Sequence, residues 1–256
     1  MPIFIDTHTH FYDEAFLQDA EAAIERAREA GVAKMIQPDV DSREREALFS
    51  LSERHPGVLF SMAGLYPGSV EADWEQEIAA LEPWLLKDIV AIGEIGLDYH
   101  WSTEFVKEQK RALVVQLELA DRLGLPVNIH LRDATEDFLA VLHGCRHLSL
   151  RGNMHAYSGS YETFLRLQDY GDWSLGIGGV VTYKNSRLAD VVRKIPLDRI
   201  LLETDSPYLP PVPHRGERNE SAYIPLIAAK VAECKGISIE EVAEATTRNA
   251  EKLFRI

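Results

Sequence analysis

Eight short apolar segments alternate with segments of helical periodicity, and this repeat limits the fold more than any other feature of the chain. The predicted strands cover residues 3–10, 33–37, 58–65, 89–95, 126–130, 148–155, 173–177 and 199–203. Helices are predicted at 16–30, 42–55, 73–86, 103–123, 133–143, 161–170, 187–195, 220–234 and 239–254, with a proline-containing loop at 205–219. Nearly continuous apolar strands indicate a parallel sheet covered by helices. Eight such units predict a (β/α)₈ TIM barrel, a single domain over residues 1–256, with a doubly wound open sheet as the alternative.

Capping boxes predict where some helices begin. In this arrangement an N-cap side chain and a Glu three residues later each bond the other's backbone N–H. The spacing occurs at Asp41 and Glu44, Asp133 and Glu136, and Ser238 and Glu241.

The charge balance narrows the classes of partner. The 41 acidic and 27 basic residues give a formal net charge of −14, which argues against a broad electropositive surface for duplex nucleic acid. Cys145 and Cys234 stand alone, so neither a disulfide framework nor a Cys-x-x-Cys site is expected. The sequence shows neither a signal-peptide pattern nor an apolar run of about 20 residues. We therefore expect a cytoplasmic protein with no membrane contact.

Histidines and carboxylates follow several predicted strands. His8 and His10 are two residues apart, so on a strand they face the same side. In a parallel barrel the carboxyl ends of the strands form the working face. Glu94, His130, His155 and Asp205 come at the ends of four further strands, so we expect all six side chains to meet at one rim.

This donor set predicts a metal centre. Four imidazoles and two carboxylates exceed what one tetrahedral ion uses, and a carboxylate can bridge two ions, so we infer two divalent metals. Mixed nitrogen and oxygen donors suit zinc, manganese, iron or nickel, and magnesium remains open. Among the other histidines, only His100 and His214 are expected on loops of the working face.

The same residues resemble the TatD family of metal-dependent deoxyribonucleases. The resemblance runs from residue 5 to about residue 254 and rests on residues 6–10 (DTHTH), 93–99 (GEIGLDY), 130–134 (HLRDA), 155–159 (HAYSG), 203–207 (ETDSP) and 215–220 (RGERNE). It implies a TIM barrel of the amidohydrolase superfamily that hydrolyses phosphodiester bonds at a divalent metal centre. It further implies two ligand sets that share Glu94: one holds His8, His10, Glu94 and Asp205, and the other holds Glu94, His130 and His155.

The chain departs from the family at a few positions. The family usually carries a His-Pro-His-like motif after the third strand, and here the segment is Tyr66-Pro67-Gly68. The first histidine of that motif is thought to contact substrate phosphate. A phenol can donate a hydrogen bond but supplies no cation, so we expect altered substrate contact with an intact metal site. Ser221, where the family often has proline, and Met154, where cysteine is common, look like minor changes.

A metal-activated hydroxide attacking phosphorus is the expected chemistry. Asp205 is the candidate base and Glu94 the bridging ligand. Arg132 is the main candidate for pairing with phosphate, with Arg215 and His214 as weaker ones and Lys184 as a surface residue. The acidic charge favours a single strand or a DNA end in a small pocket, as in a 3′-to-5′ exonuclease. Aromatic rim residues available for base stacking are Tyr66, Tyr99, Trp101 and Tyr157.

Two other classes of function remain open on the sequence alone. The same donor set suits hydrolysis of a carboxylic ester, amide or lactone, including an aminoacyl ester of tRNA. A metal-binding protein without turnover is the non-enzymatic alternative. No obligate protein partner is predicted.

Overall fold

A computed structural model describes residues 2–256 and shows one sheet of eight parallel strands. The strands are β1 (Phe4–Asp6), β2 (Val32–Gln37), β3 (Leu59–Ala63), β4 (Ile89–Asp98), β5 (Val127–Arg132), β6 (Arg151–Met154), β7 (Asp172–Ile177) and β8 (Ile200–Leu202). Each strand pairs with the next in the order of the chain. The predicted (β/α)₈ barrel is confirmed, and the doubly wound alternative is wrong because such a sheet does not keep sequential order.

Helices cover the outside of the sheet. They are α1 (Ala20–Glu29), α2 (Arg45–Arg54), α3 (Trp74–Ala79), α4 (Val106–Leu123), α5 (Thr135–Gly144), α6 (Tyr161–Gln168), α7 (Leu188–Lys194), α8 (Ile224–Lys235) and α9 (Ile239–Phe254). Most of their buried faces pack on the strands in one large apolar cluster that includes Phe138, Trp173 and Val192. Within residues 2–256 no helix has the length and apolar character needed to cross a membrane.

The first and last strands meet through backbone hydrogen bonds. Thr7 N donates to Leu202 O at 3.0 Å, and Asp205 N donates to His8 O at 2.9 Å. The buried carboxylate of Asp6 lies below this junction and accepts hydrogen bonds from Thr204 N at 2.9 Å and Ser221 Oγ at 2.6 Å. The two ends of the barrel are therefore joined directly beneath the segments that carry His8 and Asp205.

Four charged side chains join α1 to the segment before α8. Arg218 Nη1 donates to Asp19 Oδ1 at 2.6 Å, and its Nη2 donates to Glu220 Oε1 at 2.7 Å. Arg26 Nε donates to Glu220 Oε2 at 2.8 Å, and its Nη2 donates to Asp19 Oδ2 at 3.0 Å. Arg218 lowers the pKa of Asp19 against a smaller opposing effect of burial, and Arg26 adds to this. Burial raises the pKa of Glu220, but the two arginines outweigh it and lower the pKa below its usual value.

Several predicted boundaries are wrong. The helix predicted at 73–86 ends at Ala79, and Pro83, which cannot donate a hydrogen bond, lies in the turns that follow. Of the three capping boxes, only that of Ser238 and Glu241 is present. Asp133 has a φ of 55°, so it cannot serve as an extended N-cap, and α5 begins two residues later.

The expected strand ends also need correction. Glu94 lies inside β4, which continues to Asp98, and His130 lies inside β5, which continues to Arg132. β1 ends at Asp6, so His8 and His10 lie on the segment beyond it. The side chains still reach one rim because the strands begin and end at different heights in the tilted barrel.

Candidate metal centre

The six predicted side chains are close together at the carboxyl end of the barrel. His8 Nε2 and His10 Nε2 are 3.1 Å apart, and His10 Nε2 lies 3.4 Å from Asp205 Oδ1. Three sets of donor atoms lie close enough to share an ion: His8, His10 and Glu94; His8, His155 and Asp205; and Glu94, His130 and His155. The three sets share residues and together contain six donor side chains, whereas a single tetrahedral site uses only four ligands.

The Glu94 carboxylate lies between two groups of imidazoles. Its Oε2 is 3.4 Å from His8 Nε2. Its Oε1 is 2.9 Å from His130 Nδ1 and 3.7 Å from His155 Nε2. The two oxygens of one carboxylate therefore face different sets of nitrogen donors, which is the geometry that a bridging ligand needs.

The orientation of His10 is fixed on the side away from the cluster. Tyr12 Oη donates to the carbonyl of Pro38 at 2.6 Å and lies 2.8 Å from His10 Nδ1. Because that hydroxyl proton is committed to Pro38, Tyr12 accepts from the Nδ1–H of His10. The lone pair of His10 Nε2 is then free to bind an ion.

Carboxylates also lie beside the outer ring nitrogens of His130 and His155. His130 Nε2 is 2.8 Å from Asp98 Oδ2, and His155 Nδ1 is 3.1 Å from Glu203 Oε1. Glu203 also accepts hydrogen bonds from Asn153 Nδ2 at 3.2 Å and from the backbone N–H of Ala156. Outer carboxylates of this kind fix the ring and raise the basicity of the ligating nitrogen.

A glycine in β7 makes room for the Glu203 carboxylate. A Cβ at Gly176 would lie 1.9 Å from Glu203 Oε2, closer than any two heavy atoms can approach without a bond. Only glycine at this position leaves the carboxylate in its place beside His155.

An unpartnered amide oxygen provides a test of whether a metal fits. Asn128 Nδ2 lies 3.2 Å from His8 Nδ1, while Asn128 Oδ1 is buried without a partner. Rotating the amide by half a turn would place Oδ1 against His8 Nδ1. His8 carries a proton on Nδ1 when its Nε2 binds an ion, so the rotated amide oxygen would gain a donor. The donor set of imidazoles and carboxylates suits zinc, manganese, iron and nickel.

Carboxylates and imidazoles, which carry opposite charges when ionised, lie together in this buried cluster. Burial raises the pKa of Glu94, but His8, His155 and His130 outweigh this and hold it well below its usual value. Burial lowers the pKa of His155, but Glu203, Asp205 and Glu94 outweigh this and raise it to about 10. The carboxylates and the imidazoles of the cluster therefore stabilise each other's charged forms.

Asp205 has a special backbone conformation. Its φ is 57°, in the left-handed region that costs a residue with a Cβ about 1 kcal/mol. Its N–H is held by the carbonyl of His8, so the closure of the barrel fixes this conformation. The turn directs Oδ1 to within 3.8 Å of His155 Nε2 and 3.7 Å of His8 Nε2.

A cavity of about 240 Å³ opens beside the cluster. His130, His155 and Asp205 lie on its inner wall, and Arg132 lies on its rim. Ala156, Val180, Leu188 and Leu209 supply apolar surface opposite. The ligand candidates are therefore accessible from solvent through a pocket with both charged and apolar walls.

Comparison with known proteins places the chain in a family. Residues 5–255 match the family described as TatD related DNase. The chain belongs to the TatD family. It is 37% identical to the uncharacterized metal-dependent hydrolase YabD of Bacillus subtilis, over 99% of this chain and 100% of that protein. It is 36% identical to a protein of Pantoea ananatis named 3′-5′ ssDNA/RNA exonuclease TatD, over 93% of this chain and 94% of that one.

Solved structures agree with this placement. The TatD homolog YjjV of Escherichia coli superposes with a TM-score of 0.89 at 34% identity, covering 99% of this chain and 98% of the other. A TatD family hydrolase from Entamoeba histolytica superposes with a TM-score of 0.84 at 20% identity, over 99% and 98% of the two chains, which supports the fold. As a TatD family member, this protein is a metal-dependent hydrolase.

The structure separates the substrate-contact candidates of this TatD protein. Arg132 lies on the rim of the cavity, with its guanidinium 5.4 Å from the ring centre of exposed Trp101. Tyr66 lies beside the candidate metal ligands, edge-on to His130 at 5.0 Å, and its hydroxyl donates to Asp98 at 3.3 Å. Arg215 and His214 lie outside the cavity that adjoins the cluster.

The sequence did not single out the residues that contact the candidate ligands from behind. Asp98, Glu203, Asn128 and Tyr12 each lie beside the second nitrogen of one candidate histidine. Sequence spacing could have indicated two of them, because Asp98 is four residues from Glu94 and Asn128 is two residues from His130. Even spacing on a strand places two side chains on the same face.

Proposed function

We propose that this protein is a two-metal phosphodiesterase that shortens single-stranded DNA from its 3′ end. The observation that carries the proposal is the position of Glu94, with one oxygen toward His8 and the other toward His130 and His155. The name of the Pantoea relative supports the choice of nucleic acid as substrate.

In this proposal the six side chains form two ligand sets. His8, His10, Glu94 and Asp205 hold one ion, and Glu94, His130 and His155 hold the other. The ions are zinc, manganese, magnesium, nickel or iron, and the outer partners of the histidines leave the inward ring nitrogens available for them. When bound, two divalent ions supply polarisation of the phosphoryl oxygens and a water whose pKa is lowered towards ~7.

The protein's own groups perform the remaining tasks. Asp205 Oδ1 accepts the proton of the attacking water and orients that water toward phosphorus. Its carboxylate is suited to this because surrounding imidazoles lower its pKa against the effect of burial, so it is ionised at neutral pH. Arg132 on the rim pairs with a non-bridging phosphate oxygen and holds the phosphodiester at the cavity mouth.

The shape and charge of the protein favour a strand end as substrate. A cavity of about 240 Å³ takes one nucleotide unit more readily than a duplex, and its apolar wall suits a base or sugar. The net charge of −14 opposes non-specific binding along a duplex.

A substrate panel tests the proposal. Metal-reconstituted protein is incubated with single-stranded DNA labelled at the 5′ or the 3′ end, with blunt duplex DNA, and with aminoacyl esters and lactones. We expect shortening of the single strand from its 3′ end, a slower reaction on duplex DNA, and loss of activity when a chelator removes the metal. Asp205→Asn should lower kcat by about 100-fold or more on the same DNA.

Other outcomes of the panel reject the proposal in distinct ways. Turnover of carbonyl substrates alone would assign the metal centre to ester or lactone hydrolysis. A metal-loaded protein inert on every substrate would favour a metal-binding protein without turnover. Internal cleavage of the end-labelled single strand would replace exonuclease action with endonuclease action.

A further inference from the structure

Three cavities have Val180, on the loop after β7, in their linings. The first is the cavity beside the metal ligands. The second, here called the Tyr183 cleft, has a volume of about 470 Å³ and contains Tyr183, Lys184 and Arg215. The third, here called the Arg187 cleft, has a volume of about 450 Å³ and contains Arg187 and Lys194. A strand that leaves the first cavity on this side can therefore follow one of two clefts.

The two clefts differ in charge. The Tyr183 cleft is lined by two cations and no carboxylate. The Arg187 cleft is lined by two cations together with Glu162 and Asp190. A phosphate in the Tyr183 cleft is attracted without opposition, whereas in the Arg187 cleft the carboxylates offset the attraction.

The cations of the Tyr183 cleft have no carboxylate partner. The chain has 41 acidic and 27 basic residues, and ion pairs engage many of its arginines and lysines. Neither Lys184 nor Arg215 is within 4.0 Å of a carboxylate anywhere in residues 2–256. Both side chains are exposed, so they are available to an anion from solution.

Tyr183 holds Arg215 in place. The guanidinium carbon of Arg215 lies 3.9 Å from the centre of the Tyr183 ring. The ring itself is fixed because Tyr183 Oη donates to the carbonyl of Pro210 at 2.9 Å. A guanidinium stacked on a ring loses less freedom when it binds, and its outer face can stack against a nucleic-acid base.

We propose that the Tyr183 cleft binds the part of a single-stranded polynucleotide that lies beyond the nucleotide at the metal centre. Lys184 and Arg215 contact two of its phosphates, and the strand passes over Val180 between the cavity and the cleft. This inference rests on the proposed nuclease function and adds the path and direction in which the strand leaves the site.

Salt dependence of binding tests this path. The probe is a fluorescent single strand of about ten nucleotides with phosphorothioate linkages, which slow its hydrolysis. Its Kd for the metal-reconstituted full chain is measured over a range of salt concentrations. Because each phosphate contact on a single strand contributes about 0.7 to the slope of log Kd against log salt, Lys184→Ala with Arg215→Ala should lower the slope by about 1.4. We expect binding at low salt to weaken about tenfold or more.

The Arg187 cleft supplies the matched control. Arg187→Ala with Lys194→Ala removes the same charge from the neighbouring cleft and should change the slope by less than about 0.3. A control pair that lowers the slope as much as the test pair would show a general charge effect and overturn the path. An unchanged slope in the test pair would also overturn it.

The failure of the path can be told apart from the failure of the nuclease function. If the wild type binds the probe and shortens an unmodified strand, and the test pair behaves identically, only the path is wrong. If the wild type neither binds the probe nor shortens an unmodified strand, both are wrong. Lys184→Ala alone, at an exposed position, gives a variant whose folding is not in question and should lower the slope by about 0.7.

Discussion

Asp98 and His130 form a hydrogen bond of 2.8 Å between the carboxylate Oδ2 and ring Nε2, while the opposite ring nitrogen of His130 lies 2.9 Å from Glu94. One imidazole thus joins a buried carboxylate to the carboxylate at the centre of the ligand cluster. Since the proton on Nε2 is committed to Asp98, the lone pair on Nδ1 faces the candidate ion.

Asp98→Ala should lower metal affinity about 10- to 100-fold, because His130 loses the acceptor that fixes its ring and its proton. Affinity is measured by competition with a chromophoric chelator, and folding by urea denaturation. Asp133→Ala is the control, since Asp133 forms a similar 3.0 Å contact with His100 on the exposed rim. Equal affinity in the Asp98 and Asp133 variants would contradict this role for Asp98.

Glu94→Gln should reduce bound metal well below that of the wild type and abolish hydrolysis, while the barrel stays folded. An amide has only one oxygen donor, so it cannot bind an ion on each side. Metal content is measured by elemental analysis after dialysis. Glu104→Gln, on an exposed loop, should retain full metal content; an unchanged content and turnover in Glu94→Gln would reject the bridge.

Tyr66→Phe should retain its metal but change kcat/KM on single-stranded DNA by about 3- to 10-fold. The hydroxyl of Tyr66 donates to Asp98 over a long 3.3 Å contact, so its loss leaves the bond between Asp98 and His130 intact. Tyr170→Phe, two residues beyond the end of α6, serves as the control. If metal content falls in Tyr66→Phe, the residue supports the metal site itself.

The network of Arg26, Asp19, Arg218 and Glu220 should stabilise the barrel at neutral pH. The pKa values of both carboxylates are lower in the folded protein, so their contribution is present above about pH 4 and is lost as the pH falls through the folded values. Arg218→Ala should cost about 1 kcal/mol at pH 7, since all four groups are partly screened by solvent.

Urea denaturation at several pH values checks this expectation. The difference between wild type and Arg218→Ala should shrink as the pH falls below about 4. Arg166→Ala removes an exposed ion pair with Glu136 and should cost less than about 0.5 kcal/mol. A difference that stays constant down to low pH would show that Arg218 acts through packing and not through charge.

The sequence predicted the barrel because each strand is nearly all apolar and each is followed by a helix. It also predicted which six side chains meet, since parallel strands place their carboxyl ends at one rim. Helix starts were less predictable. Asp133 has the sequence spacing of a capping box. Its backbone, however, adopts the left-handed conformation, and its carboxylate contacts His100 instead of the helix.

The partners behind the histidines depend on contacts that no local pattern encodes. Tyr12 accepts a hydrogen bond from His10 only because its own hydroxyl donates to the carbonyl of Pro38, on the loop after the neighbouring strand. Ser221 looked like a minor change, yet its buried hydroxyl donates to Asp6, 215 positions away. A proline there would leave that carboxylate with one donor fewer.

The junction of the first and last strands also bears on when the proposed metal centre can form during synthesis. His8 and His10 emerge first during synthesis, whereas Asp205 and the Thr204 and Ser221 donors to Asp6 come near the end of the chain. A ribosome-bound fragment that lacks them cannot assemble the proposed ligand set, so under the proposed function a nascent chain is catalytically silent. A chain stalled before β8 would then lack both the donors that hold Asp6 and the Asp205 carboxylate.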